Sequence, residues 1–349
     1  MKFETIATQG FLEPQNNNHA ISMPIYATTA YSFDSVQHAI DLFDLKVGGD
    51  IYTRLSNPSN DLVEKRIAEL EGGVGAVATS AGQAAILVAM LNIAGAGDEI
   101  VTSSKIYGGT YNLFSKTFKQ IGINVKFINS DNLEDYEKAI TDKTKCLYTE
   151  TIGNPKLKVA DIEGLAKIAH SHGIPLIVDN TVATPYLCRP FDFGADIVVH
   201  STTKYLSGHG NAMGGVVVDS GKFDWNQNSK FPMLTTPDES YHGTIYTEAF
   251  KEAAFIVKAR AHLLRDLGCC QSPFNSYMTL LGLETLHVRM DRHCENALEL
   301  AQYLESMKDI NYVIYPGLKS SADYELAQKY LKKGASSLVG FGVKGDGTK

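Results

Sequence analysis

The sequence predicts an α/β protein built on a mainly parallel sheet covered by helices on both faces. Three observations carry this. Short apolar runs recur along residues 60–220, and each is separated from the next by a helical pattern. The apolar runs are continuous rather than alternating, as strands buried on both faces require. Several of them end abruptly in polar residues, which is where ligands bind in such sheets.

The elements follow in order. Residues 1–55 are rich in Asn, Thr, Tyr and Pro and show little period, so they are expected to be irregular. Such an arm either reaches a partner subunit or is a frayed end. Asp61 to Leu70 has helical spacing and is stopped by Gly72-Gly73. Val74 to Thr79 is a short buried strand, and Gly82 to Leu91 a helix. Strands are predicted at Glu99 to Thr102, Val125 to Ile128, Cys146 to Thr149, Pro175 to Val178, Ile197 to Val199 and Val216 to Val218. Helices are predicted at Gly108 to Ile121, Asn132 to Ile140 and Ile162 to His172. Beyond about Phe250 the character changes. Two long helices are expected, Glu248 to Leu267 and Ser276 to Met307, with isolated strands at Tyr312 to Tyr315 and Val339 to Val343. This pattern implies a second, smaller α+β domain. The expected organisation is an arm over 1–55, a main domain over 56–248 and an incomplete C-terminal domain over 249–349.

Composition excludes several classes. Of 349 residues 44% are hydrophobic and 20% charged, as in ordinary globular proteins, and the net charge is −7. No basic stripe exists, so nucleic acid is not an expected partner. The longest apolar run, Ala84 to Leu91, is too short to span a bilayer, and the N-terminus lacks the apolar core of a signal peptide. Five cysteines without a C-x-x-C pair fit a reducing cytosol. Two glycine patterns, Gly73-Val-Gly75-Ala-Val-Ala78 and Gly340-Phe-Gly342-Val-Lys-Gly345, match a dinucleotide fingerprint. The first enters a strand rather than a helix and no helix can follow the second, so neither has the context the motif needs. His287, His293 and Cys294 share a helical region, but isolated His and Cys on long helices are usually packing or surface, and no metal is expected.

The candidate chemistry lies at strand ends. Asp179 closes the run Ile-Pro-Leu-Ile-Val, and Lys204 follows Ile-Val-Val-His200 within Ser201-Thr-Thr203-Lys204. A lysine for a Schiff base and an acid for a pyridinium nitrogen are what a pyridoxal phosphate (PLP) enzyme needs. A partly desolvated lysine also becomes a nucleophilic amine. Most lysines, however, are solvated surface charges, and a strand-end aspartate often only turns the chain. Thr79-Ser80-Ala-Gly82-Gln83 is a small-residue turn entering a helix, either a phosphate site or a plain cap. Ser201 and Thr203 could add hydroxyls to that phosphate. Tyr107, just past a strand, could stack on a planar ring or pack inside. Tyr52 and Arg54 lie in the arm, where an arginine binds phosphate or is merely surface.

Together these motifs resemble the Cys/Met-metabolism family of PLP enzymes. The resemblance runs from Phe3 to Val343. It rests on Tyr52-Thr-Arg54, Ser80-Ala-Gly82-Gln83-Ala-Ala, Tyr107-Gly-Gly-Thr, Glu150-Thr-Ile-Gly-Asn154-Pro, Val178-Asp179-Asn and Ser201-Thr-Thr-Lys204-Tyr. It implies PLP fold type I, with Lys204 forming the Schiff base and Asp179 facing the ring nitrogen. Tyr107 would stack on the ring and Asn154 would contact its hydroxyl. Gly82, Gln83, Ser201 and Thr203 would hold the phosphate, and Tyr52 and Arg54 would reach a neighbouring subunit's phosphate. A cytoplasmic homotetramer of paired dimers is implied.

Within the family, Thr110-Tyr-Asn112-Leu-Phe, the segment Lys222 to Pro237 and Leu264-Arg-Asp-Leu-Gly268 are similar to the O-acetylhomoserine sulfhydrylase branch. That branch replaces the acetate of O-acetylhomoserine by sulfide. Cystathionine γ-synthase and the methionine or cystathionine γ-lyases are the alternatives on the same scaffold. Family members continue several dozen residues further, through the arginine that grips the substrate carboxylate. No residue here matches it, which implies a fragment or a shortened copy, and a non-catalytic PLP-binding protein is a further alternative.

Overall fold

The structure, a computed structural model, describes residues 1–345. Its main sheet has seven strands in the order β1-β7-β6-β5-β4-β2-β3, and β8 and β9 form a separate pair. The strands are β1 Gly75–Thr79, β2 Glu99–Ser103, β3 Asn124–Ile128, β4 Thr144–Glu150, β5 Leu176–Asp179, β6 Ile197–His200, β7 Gly215–Asp219, β8 Ile310–Ile314 and β9 Gly340–Val343. The chain divides into two compact units, residues 1–94 with 196–284, and residues 95–195 with 285–349.

In the first unit β7 runs antiparallel to both β1 and β6, in the registers Gly75↔Asp219 and Ile197↔Asp219. All five residues of β7 are buried, which explains its unbroken Val-Val-Val run. Helix α1 spans Phe3–Gln9, α2 Val36–Phe43, α3 Pro58–Glu71 and α4 Gly82–Leu91. The signals that delimit α3 are local. Asn57 caps it by accepting the Ser59 N–H, Pro58 opens its first turn, and Gly72 closes it at φ 82°. The apolar core includes an aromatic cluster in which Trp225 stacks on Phe255 at 5.4 Å and 11°, with the edge of Phe231 at 5.0 Å.

In the second unit β2 pairs in parallel with β3 and β4, and β4 with β5. Phe114 lies 5.1 Å from both Phe118 and Tyr148 and packs beneath these strands. The β8–β9 pair is antiparallel. Among the described residues no helix is long and apolar enough to cross a membrane.

Four stretches depart from the expected elements. The first 55 residues hold α1 and α2. Tertiary contact secures α1, since Ile6 and Ala7 are buried and the Arg66 guanidinium donates to the carbonyls of Ala7 and Gly10. The single helix expected over 248–267 is broken. Lys251 has φ 48°, and Ala259–Leu264 is a π turn. That wider turn carries Arg260, which donates to the carbonyls of Leu55 and Ala76 and to Glu64 Oε2. The helix expected over 276–307 is two, Pro273–Glu284 and Leu286–Ser306. The one expected over 108–121 contains a π turn at Leu113–Thr117.

Candidate active site

The first unit builds a phosphate-type cradle and presents the lysine. Helix α4 starts at Gly82 with Ala81 as its N-cap, and no side chain caps the turn. The positive end of the helix dipole at this start favours an anion. Ser201 closes over this start. A Cβ on Gly82 would lie 2.6 Å from Ser201 Cβ and 2.9 Å from Ser201 Cα, so only glycine allows the approach. Gln83 follows in the same first turn and is half-buried.

The loop after β6 is a tied turn. Thr203 Oγ1 donates to the Gly214 carbonyl at 3.2 Å and accepts the Gly214 N–H at 3.0 Å. The Lys204 N–H reaches the Ser201 carbonyl, and the Gly208 N–H reaches the Lys204 carbonyl. The Lys204 residue is exposed. Behind it, His200 ends β6 with Nε2 2.6 Å from Glu71 Oε1, both side chains fully buried. This pair anchors the strand that delivers the loop onto α3. In the arm, the Arg54 guanidinium donates to the Arg265 carbonyl at 2.6 Å and lies 5.4 Å from the Tyr52 ring centre. Both residues are exposed.

The second unit presents a carboxylate and an aromatic ring at the carboxyl ends of its strands. Asp179 is the last residue of β5. Its Oδ1 accepts the Thr181 N–H at 2.9 Å, and its Oδ2 accepts the Tyr148 hydroxyl at 3.3 Å. Asn180 beside it is buried and holds Thr151 and the Cys188 carbonyl. Tyr107 follows β2 and is 49% exposed, so its ring is open to a ligand rather than packed inside. Asn154 is half-buried in the turn after β4. Both Tyr107 and Asn154 hang from Glu150, which receives their backbone N–H groups.

Thus Gly82, Gln83, Ser201, Thr203, Lys204, Tyr52 and Arg54 lie in one unit, and Tyr107, Asn154 and Asp179 in the other. Gly82 and Ser201 are in close approach, and Tyr107 and Asn154 share one carboxylate. Sequence reasoning missed Glu150 and Tyr148. Glu150 stood in a quoted motif, but its partner Tyr107 is 43 positions away and nothing local signals the pairing. The residues present fit PLP: an uncapped helix start for a phosphate, an exposed lysine for a Schiff base, and an oriented carboxylate for a ring nitrogen.

A mainly parallel α/β sheet with this chemistry at its strand ends defines a PLP-dependent enzyme. A sequence model of the Cys/Met metabolism PLP-dependent enzymes matches residues 4–349, and the chain belongs to that family. It is 49% identical to the homocysteine/cysteine synthase of Saccharomyces cerevisiae, over 98% of this chain and 78% of that protein. It is also 49% identical to the O-acetyl-L-homoserine sulfhydrylase of Leptospira meyeri, over 99% of this chain and 80% of that protein. Among solved structures, a Campylobacter jejuni protein assigned as an O-acetylhomoserine (thiol)-lyase superposes with a TM-score of 0.95 and 40% identity. The match covers 99% of this chain and 85% of that one, whose structure contains N′-pyridoxyl-lysine-5′-monophosphate.

Proposed function

We propose that this protein catalyses γ-replacement on O-acetyl-L-homoserine, with sulfide as the incoming nucleophile and L-homocysteine and acetate as products. The observation that carries the reading is its near full-length similarity to proteins named for this chemistry. PLP, when bound, supplies an electron sink for the charge left at the substrate Cα.

The chain's own residues do the rest. Lys204 would be the residue that holds PLP covalently, and its amine, when free, would take the substrate Cα proton and carry protons to and from the substrate. Asp179 is oriented by Thr181 and Tyr148 and would keep a proton on the ring nitrogen. Gly82, Gln83, Ser201 and Thr203 would hold the phosphate. Tyr107 would lie against the ring, and its hydroxyl would serve proton movement near the departing acetate. Asn154 would contact the ring hydroxyl. At Cγ the bond to the acetate oxygen breaks and a bond to sulfur forms.

Tyr52 and Arg54 serve the phosphate of a neighbouring copy, in a tetramer of paired dimers. Their exposure in the single chain supports this. A cytoplasmic setting is supported by five cysteines, all free thiols.

Turnover of O-acetylhomoserine, O-succinylhomoserine and methionine, each with and without sulfide, tests the reading. Homocysteine from the acetyl ester only when sulfide is added is the expected result. Sulfide-independent release of methanethiol from methionine would make the protein a lyase instead. Lys204→Ala should lose the visible absorbance of the lysine-bound cofactor. A borohydride-reducible adduct surviving in that variant would show that the lysine is misassigned.

A further inference from the structure

Glu150 closes β4 and is 6% exposed. Its Oε1 accepts the Tyr107 N–H at 2.7 Å, and its Oε2 accepts the Asn154 N–H at 3.3 Å. One buried carboxylate therefore spans two loops, the one after β2 and the one after β4. The loops also approach directly, since a Cβ on Gly153 would lie 2.2 Å from the Lys105 carbonyl oxygen. Farther out, Lys105 and Lys158 both pair with Asp131, and Lys158 also holds Asp323 at 2.6 Å. Those outer ion pairs are partly solvated and involve neither Tyr107 nor Asn154.

The residue type matters. A carboxyl group, ionised or neutral, keeps an oxygen lone pair for each amide, whereas a glutamine would turn an NH2 toward one of the two N–H groups. The position is also an unfavourable one for a charge. Glu150 pairs across the sheet with Asp179, and burial together with that neighbouring carboxylate pushes the Glu150 carboxyl well above its usual range. A buried acid beside another acid is not explained by stability. Its two hydrogen bonds point instead to the loops it holds.

We propose that Glu150 is a positioning residue that sets the backbone of Tyr107 and Asn154 together, and so fixes the pose of both side chains toward the cofactor ring. The inference rests on the roles given to Tyr107 and Asn154 under the proposed function. A misplacement of about 1 Å at such a site can lower turnover on the order of 100-fold.

The test compares wild type with Glu150→Gln and Glu150→Asp. In the cofactor-free protein, amide hydrogen exchange is followed over residues 104–112 and 150–158, with α4 as the internal reference. The Tyr107 and Asn154 amides should exchange about 10-fold faster in the Gln variant, while those of α4 keep their rates. In the cofactor-loaded protein, the visible circular dichroism of the bound ring should weaken. For Glu150→Gln, kcat should fall about 100-fold with KM changed less than about threefold. The Asp variant, which keeps both oxygens, should recover part of each signal. Unchanged exchange at the two amides, or kcat within about twofold of wild type, overturns the proposal. If the Gln variant does not fold, the Asp variant decides, because exchange and kcat must then shift together. Exchange and dichroism need no turnover. A wild type that binds cofactor but makes no homocysteine would therefore sink the proposed function and leave Glu150 still decidable.

Discussion

Gly82→Ala perturbs the phosphate cradle at its tightest point. The added Cβ would lie 2.6 Å from Ser201 Cβ and 2.9 Å from Ser201 Cα. Ordinary carbon–carbon contact begins near 3.5 Å, so roughly 0.9 Å of separation has to be found. Part of the clash is with backbone, which no rotamer change relieves. Ser201 cannot drift freely either, because its carbonyl accepts the Lys204 N–H and Thr203 is tied to Gly214. Overpacking of this kind costs about 1–3 kcal/mol, of which a glycine-to-alanine change in a helix returns about 0.5–1 kcal/mol. The expected net loss is about 0–2.5 kcal/mol, and its middle value, about 1 kcal/mol, lowers the melting temperature of the cofactor-free protein by a few degrees. The same displacement opens the cradle, so cofactor affinity should drop on the order of 10-fold.

Two measurements read this out: a thermal melt of the cofactor-free protein and a fluorescence titration with PLP. Gly108→Ala is the control. It also lies at a helix start, but its added Cβ meets nothing within 4 Å. It should melt at or slightly above the wild-type temperature. If Gly82→Ala behaves like Gly108→Ala in both assays, the cradle argument is refuted.

Asp219 and Trp225 test the core of the first unit. Asp219 is 2% exposed, and burial pushes its carboxyl up to about 7. An unfolded aspartate ionises near 3.9, so between about pH 4 and 7 the native state holds a proton the unfolded state has released. Stability from this group is therefore fully present below about pH 4 and is lost as pH rises toward 7, by on the order of 4 kcal/mol in total. Asp219→Asn keeps an oxygen for the Gly221 N–H and should match wild type in urea melts at pH 4 but exceed it at pH 8. A parallel pH dependence in the two proteins would contradict this. Trp225→Ala removes the stack on Phe255 and should cost about 3–5 kcal/mol in urea denaturation followed by circular dichroism. A loss below about 1 kcal/mol would mean that the cluster relaxes around the gap.

The strands of the sheet were legible because their signals are short-range. Unbroken Val and Ile runs such as Val216–Val218 mark strands buried on both faces, and polar residues after them mark the ends. Gly72 stops α3 from within its own few residues. The breaks in the longer helices were not legible. The π turn at Ala259–Leu264 carries Arg260, whose acceptors Leu55, Glu64 and Ala76 come from some 200 positions earlier in the chain. Helix α1 is secured the same way, by Arg66.

The site divides along the same line. Lysine, aspartate and the small-residue turn stand out by type and by place after a strand, so the kind of cofactor could be named from residues alone. Which groups hold those residues could not. Glu150 reaches Tyr107 across 43 positions, and Glu71 meets His200 across 129. Local sequence determined the strands, the caps and the reactive side chains, because these depend on a residue and its near neighbours. The tertiary structure decided their orientation, because one buried carboxylate can serve two distant loops only after the sheet has brought them together.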